Sequence, residues 1–149
     1  MHNINTFDFK VVTYNGTDHL IWSSMGNFGN YFGDMDGSPY NADFIADDSY
    51  NIQKKVMIKD VESDLHEFTV VDDGKSAIMT TIKFQQENVS SVTPEYPQGF
   101  MAGNKGFREI DLGTGRTKFE WAALDNGVTV DESFNLMELN QGGSFWDFL

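Results

Sequence analysis

The sequence predicts an all-β fold, and three observations carry that reading. Apolar and polar residues alternate with period two along most of the chain, and turn dipeptides such as Asn15-Gly16 and Asp73-Gly74 punctuate the alternating runs. No stretch of ten or more residues places apolar side chains well at i, i+3, i+4 and i+7. The 149 residues suit one domain, able to bury a core without metal or disulfide staples.

Phe7 to Tyr14 is rich in aromatic and β-branched residues, and Asn15-Gly16 turns it towards His19-Leu20-Ile21-Trp22, which predicts a first hairpin. Gly26, Gly29, Gly33 and Gly37, set among Asn, Asp and aromatic residues, predict an irregular loop between Met25 and Ser38. Asp43 to Ala46 and Gln53 to Ile58 flank Asp47-Asp48-Ser49-Tyr50-Asn51, a second hairpin. Leu65 to Val71 and Ser76 to Phe84 flank Asp72-Asp73-Gly74-Lys75, a third. Residues 85–104, with Pro94 and Pro97, read as a loop. Phe107 to Leu112 and Thr117 to Trp121 then bracket Gly113-Thr114-Gly115 as a fourth hairpin. From Val128 onward the pattern is less regular, with Gly142-Gly143 leading into Ser144-Phe145-Trp146-Asp147. Short strands at intervals of roughly 8 to 12 residues fit a sandwich, a barrel or a propeller, and the third and fourth hairpins together hold the four strands of one propeller blade.

Composition removes several functions. Lys+Arg 10 against Asp+Glu 23 gives a net charge of −13, which repels nucleic acid phosphate and anionic lipid at long range, so neither is expected as a partner. With 40% hydrophobic and 14% aromatic residues the chain is too apolar for a disordered acidic tail. The absence of Cys removes disulfides, thiolate nucleophiles and Cys-ligated zinc. No apolar run approaches the roughly 18 to 20 residues that span a bilayer, and the first residues show neither a basic nor an apolar leader pattern. Localisation stays open, and Asn15-Gly16-Thr17 and Asn88-Val89-Ser90 match the N-glycosylation acceptor pattern. No Gly-x-Ser-x-Gly elbow, P-loop or dinucleotide fingerprint occurs, which argues against nucleotide and α/β-hydrolase chemistry.

The three histidines, His2, His19 and His66, are the best candidates for chemistry near neutral pH. His2 lies near the terminus and His19 reads as a turn-edge residue. In Asp64-Leu65-His66-Glu67-Phe68 a regular strand places Asp64, His66 and Phe68 on one face and Leu65 and Glu67 on the other. Asp64 then accepts from one imidazole nitrogen, fixes the tautomer and leaves the other nitrogen for a substrate. The competing reading is a strand histidine simply satisfied by a neighbouring carboxylate. Asp64, His66 and Glu67 as metal ligands is disfavoured, because Glu67 points away and no second His lies near. Trp22, Trp121 and Trp146 read as core packing before ligand stacking, and Arg108 and Arg116 as solvated ion pairs.

Asp64-Leu65-His66-Glu67-Phe68 before an Asp-Gly turn, Gly106-Phe107-Arg108-Glu109-Ile110-Asp111, Gly113-Thr114-Gly115, Phe119-Glu120-Trp121 and Asp131-Glu132-Ser133 follow one another in an order that resembles the arylsulfotransferase family, closest to its fungal branch. Phe9-Lys10-Val11 to Trp22 and the closing Trp146-Asp147-Phe148 extend the resemblance over nearly the whole chain. Two places depart from it: Arg108 stands where Gln is usual, and the loop from Gly26 to Gly37 lacks the expected Gly-His character.

The resemblance implies an all-β partial propeller of about two blades over residues 1–149. It also implies an activity that moves a sulfuryl group from an aryl sulfate to a phenol through a transiently sulfated histidine, with no cofactor or metal. His66 matches the first family histidine, in a sulfate-holding or acid–base position, with Asp64 orienting it. The family's His-x-Asn-Ser motif and later blades do not occur before Leu149, so the chain is expected to be an incomplete member, inactive alone and self-associating through open blade edges. An aryl sulfate or phenol is the expected small-molecule partner. The alternatives are a non-catalytic ligand- or protein-binding β module and a purely structural fragment.

Overall fold

A computed structural model describes residues 5–25, 41–58, 60–88 and 100–132. It is all-β, with eight strands: β1 (Asn5–Tyr14), β2 (Thr17–Met25), β3 (Asn41–Ala46), β4 (Ile52–Val56), β5 (Glu62–Val71), β6 (Ser76–Glu87), β7 (Phe100–Asp111) and β8 (Thr117–Ala122). They form two four-stranded antiparallel sheets, ordered β1-β2-β3-β4 and β5-β6-β7-β8. Within each sheet every strand pairs with its chain neighbour, and the β1–β2, β3–β4, β5–β6 and β7–β8 connections are short enough to favour hairpins. Both sheets are open, and each has the strand content of one propeller blade, in keeping with the expected two-blade partial propeller.

The four expected hairpins are present. Asn15 (φ 52°) and Gly16 (φ 78°) supply the two left-handed residues that a two-residue hairpin turn requires. The loop expected over 85–104 is shorter than its composition suggested: β6 runs on to Glu87 and β7 begins at Phe100. The expectations for His2, the glycine-rich loop from Gly26 to Gly37, Pro94 and Pro97, Val89-Ser90 and the segment with Trp146-Asp147-Phe148 lie outside the described residues.

The chain divides into two compact units. In the first, Met1–Thr81 with Phe107–Glu120, β5 packs against β1, β2 and β3. Its core gathers Ile21, Ile45, Phe68, Met79, Ile110 and Leu112 with smaller aliphatic residues. Gly74 (φ 88°) in the β5–β6 turn approaches the β1–β2 turn so closely that a Cβ there would lie 2.8 Å from the Asn15 nitrogen, a position only glycine fills. In the second unit, Ile82–Gly106 with Trp121–Leu149, Asn104 is 1% exposed and serves as a polar tie. It donates to Gln85 Oε1 at 3.3 Å, and its Oδ1 accepts from the Leu124 backbone at 2.9 Å.

Two irregularities shape the first unit. In β1 the register shifts between Phe7 and Lys10, so Asp8 and Phe9 together face Trp22, and Asp8 takes a left-handed φ of 49°. In β5, Leu65 takes φ 63°, and burial changes phase: Ser63 and Leu65 are buried before the kink and Phe68 after it, with His66 and Glu67 both exposed. The expected alternation, with His66 and Phe68 on one face, is therefore corrected. One left-handed residue turns the strand by one register step.

Candidate functional site

The kink at Leu65 determines what the sequence-identified histidine does. Asp64 stays half-buried on the near side, while His66 turns outward with a side chain 75% exposed. The pair still meets: His66 Nδ1 lies 3.1 Å from Asp64 Oδ2. A carboxylate at that nitrogen favours the tautomer with the proton on Nδ1 and leaves Nε2 as an outward-facing base or nucleophile. Among the described residues, Asp64 is the only side chain within hydrogen-bond reach of His66. That geometry is shared by a substrate-facing imidazole and by a surface histidine satisfied by its neighbour.

Next to the pair stands a polar bridge between two strands. The bulge turns Asp8 inward, where its Oδ2 accepts the Phe68 backbone N–H at 2.8 Å and the Lys10 ammonium at 2.9 Å. Lys10 also donates to Glu67, and the Glu67 backbone N–H donates to Thr80 Oγ1 at 3.2 Å. Partial burial draws the Lys10 pKa down, but hydrogen bonds to Glu67 and Asp8 outweigh it and the value is raised. The Glu67 and Phe68 N–H groups beyond the kink in β5 and the charges of Asp8, Lys10 and Glu67 are thus partnered.

A buried carboxylate missed by the sequence reading lies in the same unit. Asp43 on β3 is fully buried and accepts from the hydroxyls of Ser23 on β2 and, at 3.1 Å, Ser63 on β5. Burial pushes its pKa up to about 6, against the lowering effect of the two serines, and the nearby Asp8 charge raises it further. Asn41 extends the cluster by donating to the Ser63 carbonyl at 2.6 Å. The signal was present in the sequence: Asp43 stands two residues before Ile45, hence on the same strand face as a core residue.

Other expectations resolve differently. His19 is a turn-edge residue, with Nδ1 3.1 Å from the Thr17 carbonyl and its ring edge-on to Tyr14. Trp22 is not in the core. It stacks on Phe44 (centroids 5.3 Å apart) and meets Phe9 (6.3 Å) on the opposite face of the first sheet. Arg108 is buried, not solvated, and donates to Glu120 Oε1 at 2.7 Å across β7 and β8. Among the described residues no group of three or more His, Asp or Glu side chains is placed to hold a metal ion, and no helix is long and apolar enough to cross a membrane.

No family model, curated protein or solved structure matches the chain.

Proposed function

We propose that the chain contributes two blades to an arylsulfotransferase-like propeller, in which His66, oriented by Asp64, is a supporting member of the sulfate site and not the sulfated nucleophile. The observation that carries this reading is the 3.1 Å Asp64–His66 contact, which leaves an exposed imidazole nitrogen at the position where the resemblance puts a sulfate-holding histidine. The two consecutive four-stranded meanders support it at the level of architecture. Sulfuryl transfer through a sulfo-histidine needs a second imidazole as nucleophile and fixed donors around the sulfate oxygens. Among the described residues Asp64 is the only side chain within hydrogen-bond reach of His66, so the proposal gives His66 a sulfate-binding role and no nucleophile among those residues.

The test is a chromogenic aryl sulfate offered with a phenol. No release of the coloured phenol is expected, but aryl sulfate at ten times its Kd raises stability by about 1.4 kcal/mol through mass action. His66→Ala abolishes that rise, and Asp64→Asn reduces it. An aryl sulfate that leaves the melting temperature unchanged, or shifts wild type and His66→Ala equally, overturns the sulfate-site reading.

A second reading, a non-catalytic binding or self-associating module, is favoured by a different observation. The outer face of the first sheet carries the Phe9–Trp22–Phe44 aromatic row beside the exposed Val11 and Ile52.

A further inference from the structure

We infer that the buried cluster of Ser23, Asn41, Asp43 and Ser63 is a proton-operated latch between β3 and β5, closed while the Asp43 carboxyl carries a proton and loosened once it is ionised. All four residues are buried. Asn41 donates its backbone N–H to Glu62 Oε2 at 3.3 Å and its amide Nδ2 to the Ser63 carbonyl at 2.6 Å, and the Ser63 hydroxyl donates to Asp43 Oδ2 at 3.1 Å. Ser23 on β2 donates to the other carboxyl oxygen. His66 is not part of the cluster, and the inference is independent of the sulfate-site reading.

With Asp43 ionised the cluster is short of a donor. The carboxylate then offers two acceptor oxygens and no proton. Asn41 Oδ1 is a third acceptor, buried and without a hydrogen-bond partner, and the Ser63 carbonyl fixes the nitrogen end of that amide, so a flip offers no remedy. Each serine hydroxyl has one proton, and both protons already go to Asp43. A proton on Asp43 supplies the missing donor: the carboxyl O–H serves a serine oxygen, and that serine's own proton is released for another acceptor in the cluster. A buried acceptor without a partner is costly, so the closed arrangement favours the neutral carboxyl.

No cation offsets the charge. Among the described residues no Lys, Arg or His lies within ion-pair distance of Asp43. On β1, Asp8 adds a negative charge nearby, and the Lys10 ammonium is engaged by Asp8 and Glu67. On β5, Glu62 accepts from Asn41, and Asp64 meets His66. On β4, Val56 pairs with Asp43, and Lys54, two residues before it, gives its ammonium to the Leu112 carbonyl. β2 presents Ser23. Ionisation therefore leaves an uncompensated charge where Ser63 joins the two strands. With Asp43 titrating near 6 in the fold against 3.8 when free, the latch is closed at pH 5 and loosens as pH rises through about 6.

The experiment is native-state hydrogen exchange on the full chain. The Asn41 N–H reports the latch, because its acceptor is Glu62 on β5, and the Ile45 N–H reports the core. After correction for the intrinsic exchange rate, the opening constant at Asn41 is expected to rise about tenfold between pH 5 and pH 7.5, as linkage to one proton with these two pKa values requires. Sub-denaturing urea is expected to speed Ile45 and leave Asn41 unchanged, which marks a local opening. Asp43→Asn, which carries a donor in place of the charge, is expected to remove the pH dependence. Ser63→Ala, which lacks the β5 hydroxyl, is expected to exchange at Asn41 as fast at pH 5 as wild type does at pH 7.5, and it decides the matter if Asp43→Asn does not fold. The inference is overturned by an Asn41 opening constant that is the same at both pH values, or by Asn41 following Ile45 in urea. A folded Asp43→Asn that keeps the wild-type pH dependence, or a folded Ser63→Ala as protected at Asn41 as wild type at pH 5, also overturns it.

Discussion

Asp43 is the residue whose chemistry and surroundings conflict most. Its carboxyl titrates near 6 in the fold against 3.8 when free, because burial disfavours the charged form more than two serine hydroxyls favour it. Between those values the folded chain holds a proton that the unfolded chain has released. The stability contributed is therefore fully present below the unfolded pKa of 3.8 and is lost as pH rises through about 6. A shift of this size corresponds to about 3 kcal/mol. Asp47, Glu109 and Asp111 have lowered pKa values and act in the opposite sense, so the Asp43 contribution is isolated by difference. Asp43→Asn keeps the shape and an acceptor but carries no charge. Its advantage over wild type in denaturant unfolding should grow from near zero at pH 4 to about 2–3 kcal/mol at pH 8. A difference that does not change with pH removes Asp43 as an ionised buried group.

At the scale of elements, the paired kinks in β1 and β5 depend on one another. Asp8 leaves the regular ladder at its own bulge and satisfies the Phe68 N–H just past the kink at Leu65. Asp8→Ala leaves that part-buried donor without its acceptor and should cost about 1–3 kcal/mol of unfolding free energy. Asp8→Asn, which retains an oxygen, should cost less than half as much. Equal losses would mean that the charge of Asp8 matters and the hydrogen bond does not. The hairpins themselves were legible because their turns announce them: Asn15-Gly16 needs two left-handed residues and Gly74 a close approach that excludes Cβ. The kinks were not legible, because Leu65 is neither Gly nor Asn and period-two counting passes over a single left-handed residue. For the same reason Asp64 and His66 were found as a pair while their faces were misplaced. The spacing of Asp43 from Ile45 marks its core face, but the hydroxyls that satisfy it, like the partner of the buried Arg108, come from other strands at separations no local pattern reports.

For the whole molecule, a net charge of −13 and an exposed apolar sheet face pull in opposite directions. Copies of the chain repel one another at long range, with a Debye length of about 30 Å at 0.01 M salt and about 8 Å at 0.15 M. Phe9 at 57%, Val11 at 61% and Ile52 at 57% exposure leave more apolar surface on one face than scattered residues would. Salt should therefore promote association: sedimentation is expected to show monomer at 0.01 M and a concentration-dependent larger species at 0.15 M and above. Val11→Lys separates the two forces. It brings the net charge one unit nearer to zero, which on electrostatic grounds alone favours association, yet it places an ammonium in the apolar row opposite Leu20. If the outer face drives assembly, the variant associates less than wild type at every salt concentration, despite its weaker repulsion. Association equal to or greater than wild type would place the contact elsewhere on the molecule and leave Phe9, Trp22 and Phe44 as packing within a solvated sheet face.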